Sequence, residues 1–214
     1  MFASCTKPVA EPKEEAKPIP GIISEALIEK AAQKYGPFAA NRYRSFNAKL
    51  LSLQERPTEE KLEGINNFFN QVPYGEDRDI WGQSDYWATP LEFLGKDRGD
   101  CEDYVIAKYF ALKDLGIDSE RLYFSYVKSL RLKTEHMVLS YFQTPSSVPL
   151  ILDNTNYKIF PADQRKDLVP VYNFNMRAIY RAEESGQNGK RVQYDGKIRN
   201  HWEQLIYDMQ NGKL

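Results

Sequence analysis

The residues in this sequence best equipped for chemistry are a cysteine and the carboxylates around it. Cys101 lies in K-D-R-G-D-C-E-D-Y-V-I-A-K-Y, with Asp100 directly before it and Glu102 and Asp103 directly after. Gly99 eases a turn just before the cysteine. From there Val105, Ile106, Tyr109, Leu112 and Leu115 recur at helical spacing until Gly116. Cys101 is therefore expected at or near a helix N-terminus, where unpaired N–H groups and the dipole favour a thiolate, the nucleophilic form. Three neighbouring carboxylates act the other way, because like charge disfavours the anion. A reactive cysteine here needs compensating positive charge. It could come from a protonated histidine, or from a cation held by the carboxylates, whose clustered hard oxygens suit calcium. The plainer alternative is a buried, inert cysteine beside a solvated acidic first turn.

A base for Cys101 has two candidates, since the chain holds only His136 and His201. His201 falls in the first turn expected of the last helix. His136 stands near the start of a strand, E-H-M-V-L, the second strand after the cysteine helix, so packing of strands on helix would bring it to Cys101. Asp153 ends the following strand in L-I-L-D-N, after a wholly apolar run, and is placed to orient an imidazole. The roles would be definite. Cys101 attacks an acyl carbon, His136 takes the thiol proton and later gives it to the leaving amine, and Asp153 fixes the tautomer. Backbone N–H groups at the helix start would bind the oxyanion. Taken singly, His136 also reads as a hydrogen-bonded sheet histidine and Asp153 as a strand-ending turn residue.

The elements that must position these groups follow from periodicity. Residues 1–20, rich in Pro, Lys, Glu and Ala, read as a flexible tail, and residues 21–214 as a single domain. Ser24 caps a helix expected over 25–35, stopped by Gly36-Pro37. A second runs over 37–54, with Tyr43, Phe46, Leu50 and Leu53 on one face. A third opens at Pro57-Thr58, with Leu62, Ile65 and Phe69 inward, and ends at Pro73. Residues 74–99 lose any period and read as a long loop; its Trp81 and Trp87 would either wall a cleft or cover the core from outside.

After the cysteine helix the period becomes two. Strands are expected over 122–128, 135–143 and 148–153, with shorter ones over 157–160, 169–174 and 177–180. On the second, Met137, Leu139 and Tyr141 share one face and His136, Val138 and Ser140 the other. E-S-G-Q-N-G reads as a turn. Asn200 with Glu203 resembles a capping box for a last helix with Trp202, Leu205, Ile206 and Met209 inward. Helices followed by a run of antiparallel strands make an α+β layout.

Bulk properties narrow the classes. The 214 residues, 42% of them hydrophobic, are enough for one good-sized core. A net charge of −1 points to neither nucleic acid nor an anionic membrane as a partner. No run reaches membrane-spanning length. Two cysteines, Cys5 in the tail and Cys101, do not make a disulfide framework, and a bridge between them is not expected. The opening M-F-A-S-C loosely echoes a lipoprotein cleavage box, but no hydrophobic segment precedes it: either the echo means nothing or an export signal has been trimmed, and no targeting segment is expected within these residues.

The runs G-D-C-E-D-Y-V-I-A-K-Y, E-H-M-V-L and L-I-L-D-N, with the upstream W-A-T-P-L-E-F-L-G, resemble the bacterial transglutaminase-like cysteine proteinases, and among them the LapG type of periplasmic protease. The resemblance covers roughly residues 22–210. It implies a papain-like, transglutaminase-like fold: N-terminal helices and a nucleophile helix packed on an antiparallel sheet. It carries the family's catalytic Cys, His and Asp onto Cys101, His136 and Asp153. It also implies calcium, held by Asp100, Glu102 and Asp103, with Asp97 a further candidate. Such proteases act in the periplasm. They cut large surface adhesins near their N-termini at an Ala-Ala site and so release cells from a biofilm. The periplasmic domain of a LapD-type inner-membrane cyclic di-GMP receptor binds and inhibits them. Two other readings share the same residues: a transglutaminase or amidase on the same fold, and a non-catalytic calcium-binding interaction module.

Overall fold

Among the described residues seven antiparallel strands form one sheet, and six α-helices precede it in the chain. The computed structural model describes residues 21–193 and 196–214; the expected tail over 1–20, with Cys5, lies outside the described residues. Helix α1 spans Glu25–Tyr35, and the Ser24 hydroxyl accepts from the Leu27 N–H at its start. Gly36, at φ 89°, turns the chain so that α2, Pro37–Leu53, begins directly with proline. Tyr43, Phe46, Leu50 and Leu53 of α2 are buried, as are Leu62, Ile65 and Phe69 of α3, Thr58–Phe69.

The stretch expected as a loop over 74–99 holds two short helices. These are α4, Asp77–Ile80, and α5, Pro90–Lys96. A capping box makes α5: the Thr89 hydroxyl accepts from the Glu92 N–H at 3.1 Å, and the Glu92 carboxylate accepts from the Thr89 N–H at 3.0 Å. Trp87 is core rather than cleft wall, stacked 6.3 Å from Phe124, while Trp81 packs on Tyr86 at 4.7 Å. Helix α6, Cys101–Asp114, is buried from Asp103 through Leu112, on every side, which marks a central helix rather than a surface one.

The sheet strands are β1 Leu122–Ser129, β2 Thr134–Tyr141, β3 Leu150–Asp153, β4 Asn156–Pro161, β5 Leu168–Phe174, β6 Ile179–Ala182 and β7 Asn188–Val192, in the spatial order β4-β3-β2-β1-β5-β6-β7. One face, carrying Phe124, Met137, Leu139, Tyr141, Leu152 and Phe174, closes the main core against the helices. The other covers a smaller cluster of Val127, Val138, Ile151, Ala162 and Leu168. This is the α+β, transglutaminase-like arrangement.

Three details differ from the sequence reading. Strand β6 starts two residues later than expected. The E-S-G-Q-N-G turn, with Gly186 at φ 81°, leads into β7, an unforeseen, largely polar strand at the sheet edge. Helix α7 covers Gly196–Gln210, so Asn200 lies inside it and is no cap; Glu203 pairs instead with Arg199 at 2.9 Å. Trp202 and Leu205 of α7 are buried, and Ile206 and Met209 pack on the core from its margin.

Candidate active site

Cys101 is the first residue of α6, and Asp100 is the N-cap without a capping side chain. Asp103 takes the reciprocal part: its carboxylate accepts from the Asp100 N–H and, at 2.9 Å, from the Ala88 N–H. The half-buried Cys101 thiol donates to Glu102 Oε2 at 3.0 Å, and the Met137 N–H of β2 hydrogen-bonds the sulfur. Met137 directly follows His136, so the nucleophile candidate meets β2 beside the base candidate. Burial, then the Glu102 and Asp100 carboxylates, push the thiol well above its ordinary range, and the Met137 N–H only partly offsets them. Burial and the carboxylates thus both disfavour the thiolate among the protein's own groups.

His136 and Asp153 are buried together, with Nε2 and Oδ1 2.9 Å apart. Asp153 accepts three more hydrogen bonds. The Thr155 N–H reaches Oδ1 at 2.8 Å; the Thr155 hydroxyl and Arg165 Nη2 reach Oδ2 at 2.9 and 2.7 Å. Burial alone would raise this carboxyl; hydrogen bonds from His136, Thr155 and Arg165 outweigh it and hold the group below the usual carboxylate range. From the helical side, Nδ2 of Asn70, the C-cap of α3, donates to the Asp153 carbonyl at 2.7 Å. His201 belongs to another neighbourhood: it stacks on Trp87 at 5.3 Å and stands 3.6 Å from Asp85.

The carboxylates converge differently from the expected ligand set. Asp77, Asp100 and Glu102 bring oxygens within 4.8 Å of one another. Asp103 is not in that group, because its fully buried carboxylate ties α6 to Ala88. Asp97 caps α5 in the left-handed conformation and stands 3.5 Å from Arg42. Asp77 reaches the group because the Tyr74–Gly99 bridge and the Gly75 N–H to Gly99 carbonyl bond, 2.9 Å, lay its segment alongside Asp100. Gly99 has to be glycine there: a Cβ would meet Asp103 Oδ2 at 2.5 Å and the Phe93 ring at 2.6 Å.

Asp77 Oδ2 accepts from the Tyr86 N–H, but Asp77 Oδ1 and Asp100 Oδ1 are buried with no hydrogen-bond partner among the described residues. Burial and the neighbouring carboxylates push Asp77 up to about 6 and Asp100 up to about 10. Orphaned hard oxygens in an acidic cluster fit a divalent cation such as calcium.

Sequence reasoning missed Asp77, Thr155 and Arg165. Asp-Asn-Thr after an apolar strand is a side-chain-to-backbone turn signal that could have found Thr155. Arg165 carries no such signal, since its contact exists only once β4 has folded back on β3.

The chain matches the family of bacterial transglutaminase-like cysteine proteinases over residues 41–178 and belongs to it. Among solved structures, calcium-bound LapG of Legionella pneumophila is 41% identical over 87% of this chain and 99% of its own, with a TM-score of 0.73. LapG from the same organism after EGTA treatment is 39% identical over 88% and 98%, also at 0.73. Comparison with curated proteins finds no match.

Proposed function

We propose that this chain is a calcium-dependent cysteine endopeptidase in which Cys101 is the nucleophile, His136 the base and later the acid, and Asp153 the orienting acid. The observation that carries the reading is the buried His136–Asp153 pair, one residue along β2 from the Met137 N–H that meets the Cys101 sulfur. Asp153 engages Nε2 of His136, which leaves Nδ1 for the thiol proton. The sulfur attacks the scissile carbonyl, N–H groups at the α6 start receive the oxyanion, and His136 protonates the leaving amine. Asp77, Asp100 and Glu102 would hold calcium, as the calcium-bound and EGTA-treated forms of LapG suggest by analogy. The ion would offset the charge that opposes a Cys101 thiolate.

By the family resemblance, the substrate is a large surface adhesin cut near its N-terminus at an Ala-Ala site, in the periplasm, to release cells from biofilm. The inhibitory partner is the periplasmic domain of a LapD-type cyclic di-GMP receptor. No helix among the described residues is long and apolar enough to cross a membrane. The test is incubation of an N-terminal adhesin fragment containing Ala-Ala with the protein in calcium. Cleavage should occur, stop with chelator, and vanish in Cys101→Ala. Amine incorporation into glutamine with no cut chain would replace this reading with a transglutaminase. No cleavage by the wild-type chain, with calcium binding the same in Cys101→Ala, would leave only the binding module.

A further inference from the structure

We infer that Arg165 is a positioning residue of this site, acting through Asp153; the inference rests on the proposed roles of His136 and Asp153. Arg165 is only 4% exposed and lies between the 3₁₀ turn Ala162–Gln164 and β5. Its Nη2 donates to Asp153 Oδ2 at 2.7 Å, and its Nε and Nη2 grip Asp167 at 2.8 Å each. Asp167 is fixed in turn, since its carbonyl accepts from the Leu130 N–H at 2.8 Å at the β1–β2 hairpin. The guanidinium is therefore held from behind and aimed at one oxygen of the triad acid.

With Arg165 present, each oxygen of Asp153 accepts two hydrogen bonds: His136 and the Thr155 N–H on Oδ1, the Thr155 hydroxyl and Arg165 on Oδ2. A carboxylate so filled has no freedom to rotate about its own axis. It presents the same oxygen to His136 throughout, which keeps the proton on Nε2 and leaves the lone pair on Nδ1 for the proposed proton transfer. Thr155 alone cannot do this. Its two donors straddle the carboxylate but carry no charge, and a buried carboxylate without a cation is costly to keep ionised. Among the described residues the Arg165 side chain hydrogen-bonds to Asp153 and Asp167, not to the thiol or His136, so its influence runs through Asp153.

Two readouts test the assignment, and the first does not depend on protease activity. The chain contains only His136 and His201, so the imidazole ¹⁵N–¹H spectrum has two spin systems, with His201 as internal reference. In the wild-type chain His136 should show a slowly exchanging, downfield ring N–H. Arg165→Met should broaden or shift that signal and leave His201 in place. Arg165→Lys, which keeps the charge but not the two-pronged grip, should restore it in part. In the adhesin-fragment assay, Arg165→Met should lower kcat on the order of 10–100-fold with KM nearly unchanged, the size expected of a misplaced catalytic group. Should Arg165→Met fold too poorly to read, Arg165→Lys decides alone, by an intermediate kcat and an intermediate His136 signal. A wild-type His136 signal and wild-type kcat in either variant would overturn the assignment. A shifted His136 signal in a chain that cleaves no polypeptide would support Arg165 as the Asp153 anchor and refute the protease reading instead.

Discussion

Asp77 is the residue on which the metal reading changed most between sequence and structure. The sequence places three acids beside Cys101, and adjacency made all three look like ligands. Adjacency on a helix is a poor guide here, because consecutive side chains point about 100° apart. Asp100 and Glu102 point toward Asp77, whereas Asp103 turns inward to Ala88. Asp77→Asn should therefore weaken calcium binding by roughly tenfold or more, through lost ligand charge. Calorimetric titration reads that loss directly, and excess calcium should rescue activity. Unchanged affinity would remove Asp77 from the ligand set. The triad candidates were legible for a different reason: one cysteine outside the opening residues, two histidines and an acid ending a buried strand leave few combinations. Of their anchors, Thr155 left only the Asp-Asn-Thr turn signal and Arg165 left none, because a hydrogen bond from a connecting segment leaves no period behind.

Among the elements, α6 shows how far periodicity reaches. Its start and its apolar positions were visible, but its complete burial was not, and burial makes a problem of Lys108. That side chain is fully buried, and its Nζ has no hydrogen-bond partner among the described residues. Burial pushes it down to about 7, against the pull of Asp153. The folded chain thus binds this proton less well than the unfolded chain. The resulting cost is full below about pH 7 and fades as pH rises toward the ordinary lysine value of 10.5. Lys108→Met should accordingly stabilise the protein by about 1–4 kcal/mol at pH 6, and by less at pH 9, as thermal melts at the two pH values would show. A loss of stability at pH 6 would mean that the ammonium is paired. The elements that escaped sequence reading are short or polar. Helices α4 and α5 are under two turns, β7 reads N-G-K-R-V, and α7 begins before its apolar stripe does.

Over the whole molecule, the acidic cluster links ion, pH and fold. Asp77 and Asp100 are both held above the ordinary carboxylate value of 3.8, so the folded chain keeps their protons better than the unfolded chain does. Their contribution to stability is full below about pH 4 and is lost as pH rises, through about 6 for Asp77 and about 10 for Asp100. In chelator, the melting temperature should fall between pH 4 and pH 7. Calcium at about a hundredfold over its dissociation constant should then return about 2.7 kcal/mol at pH 7. A melting temperature indifferent to calcium at pH 7 would separate the cluster from the ion.

The helical layer supplies Cys101 and the acidic cluster, whereas the sheet layer supplies His136, Asp153 and Arg165. Synthesis runs from one to the other. A chain emerging from the ribosome carries its thiol first, with neither the proposed base nor its proposed orienting acid yet made, and the inferred anchor for that acid arrives later still. Order of translation thus acts as a safety catch: a cutting enzyme assembled in this sequence has no edge until its own fold is nearly closed.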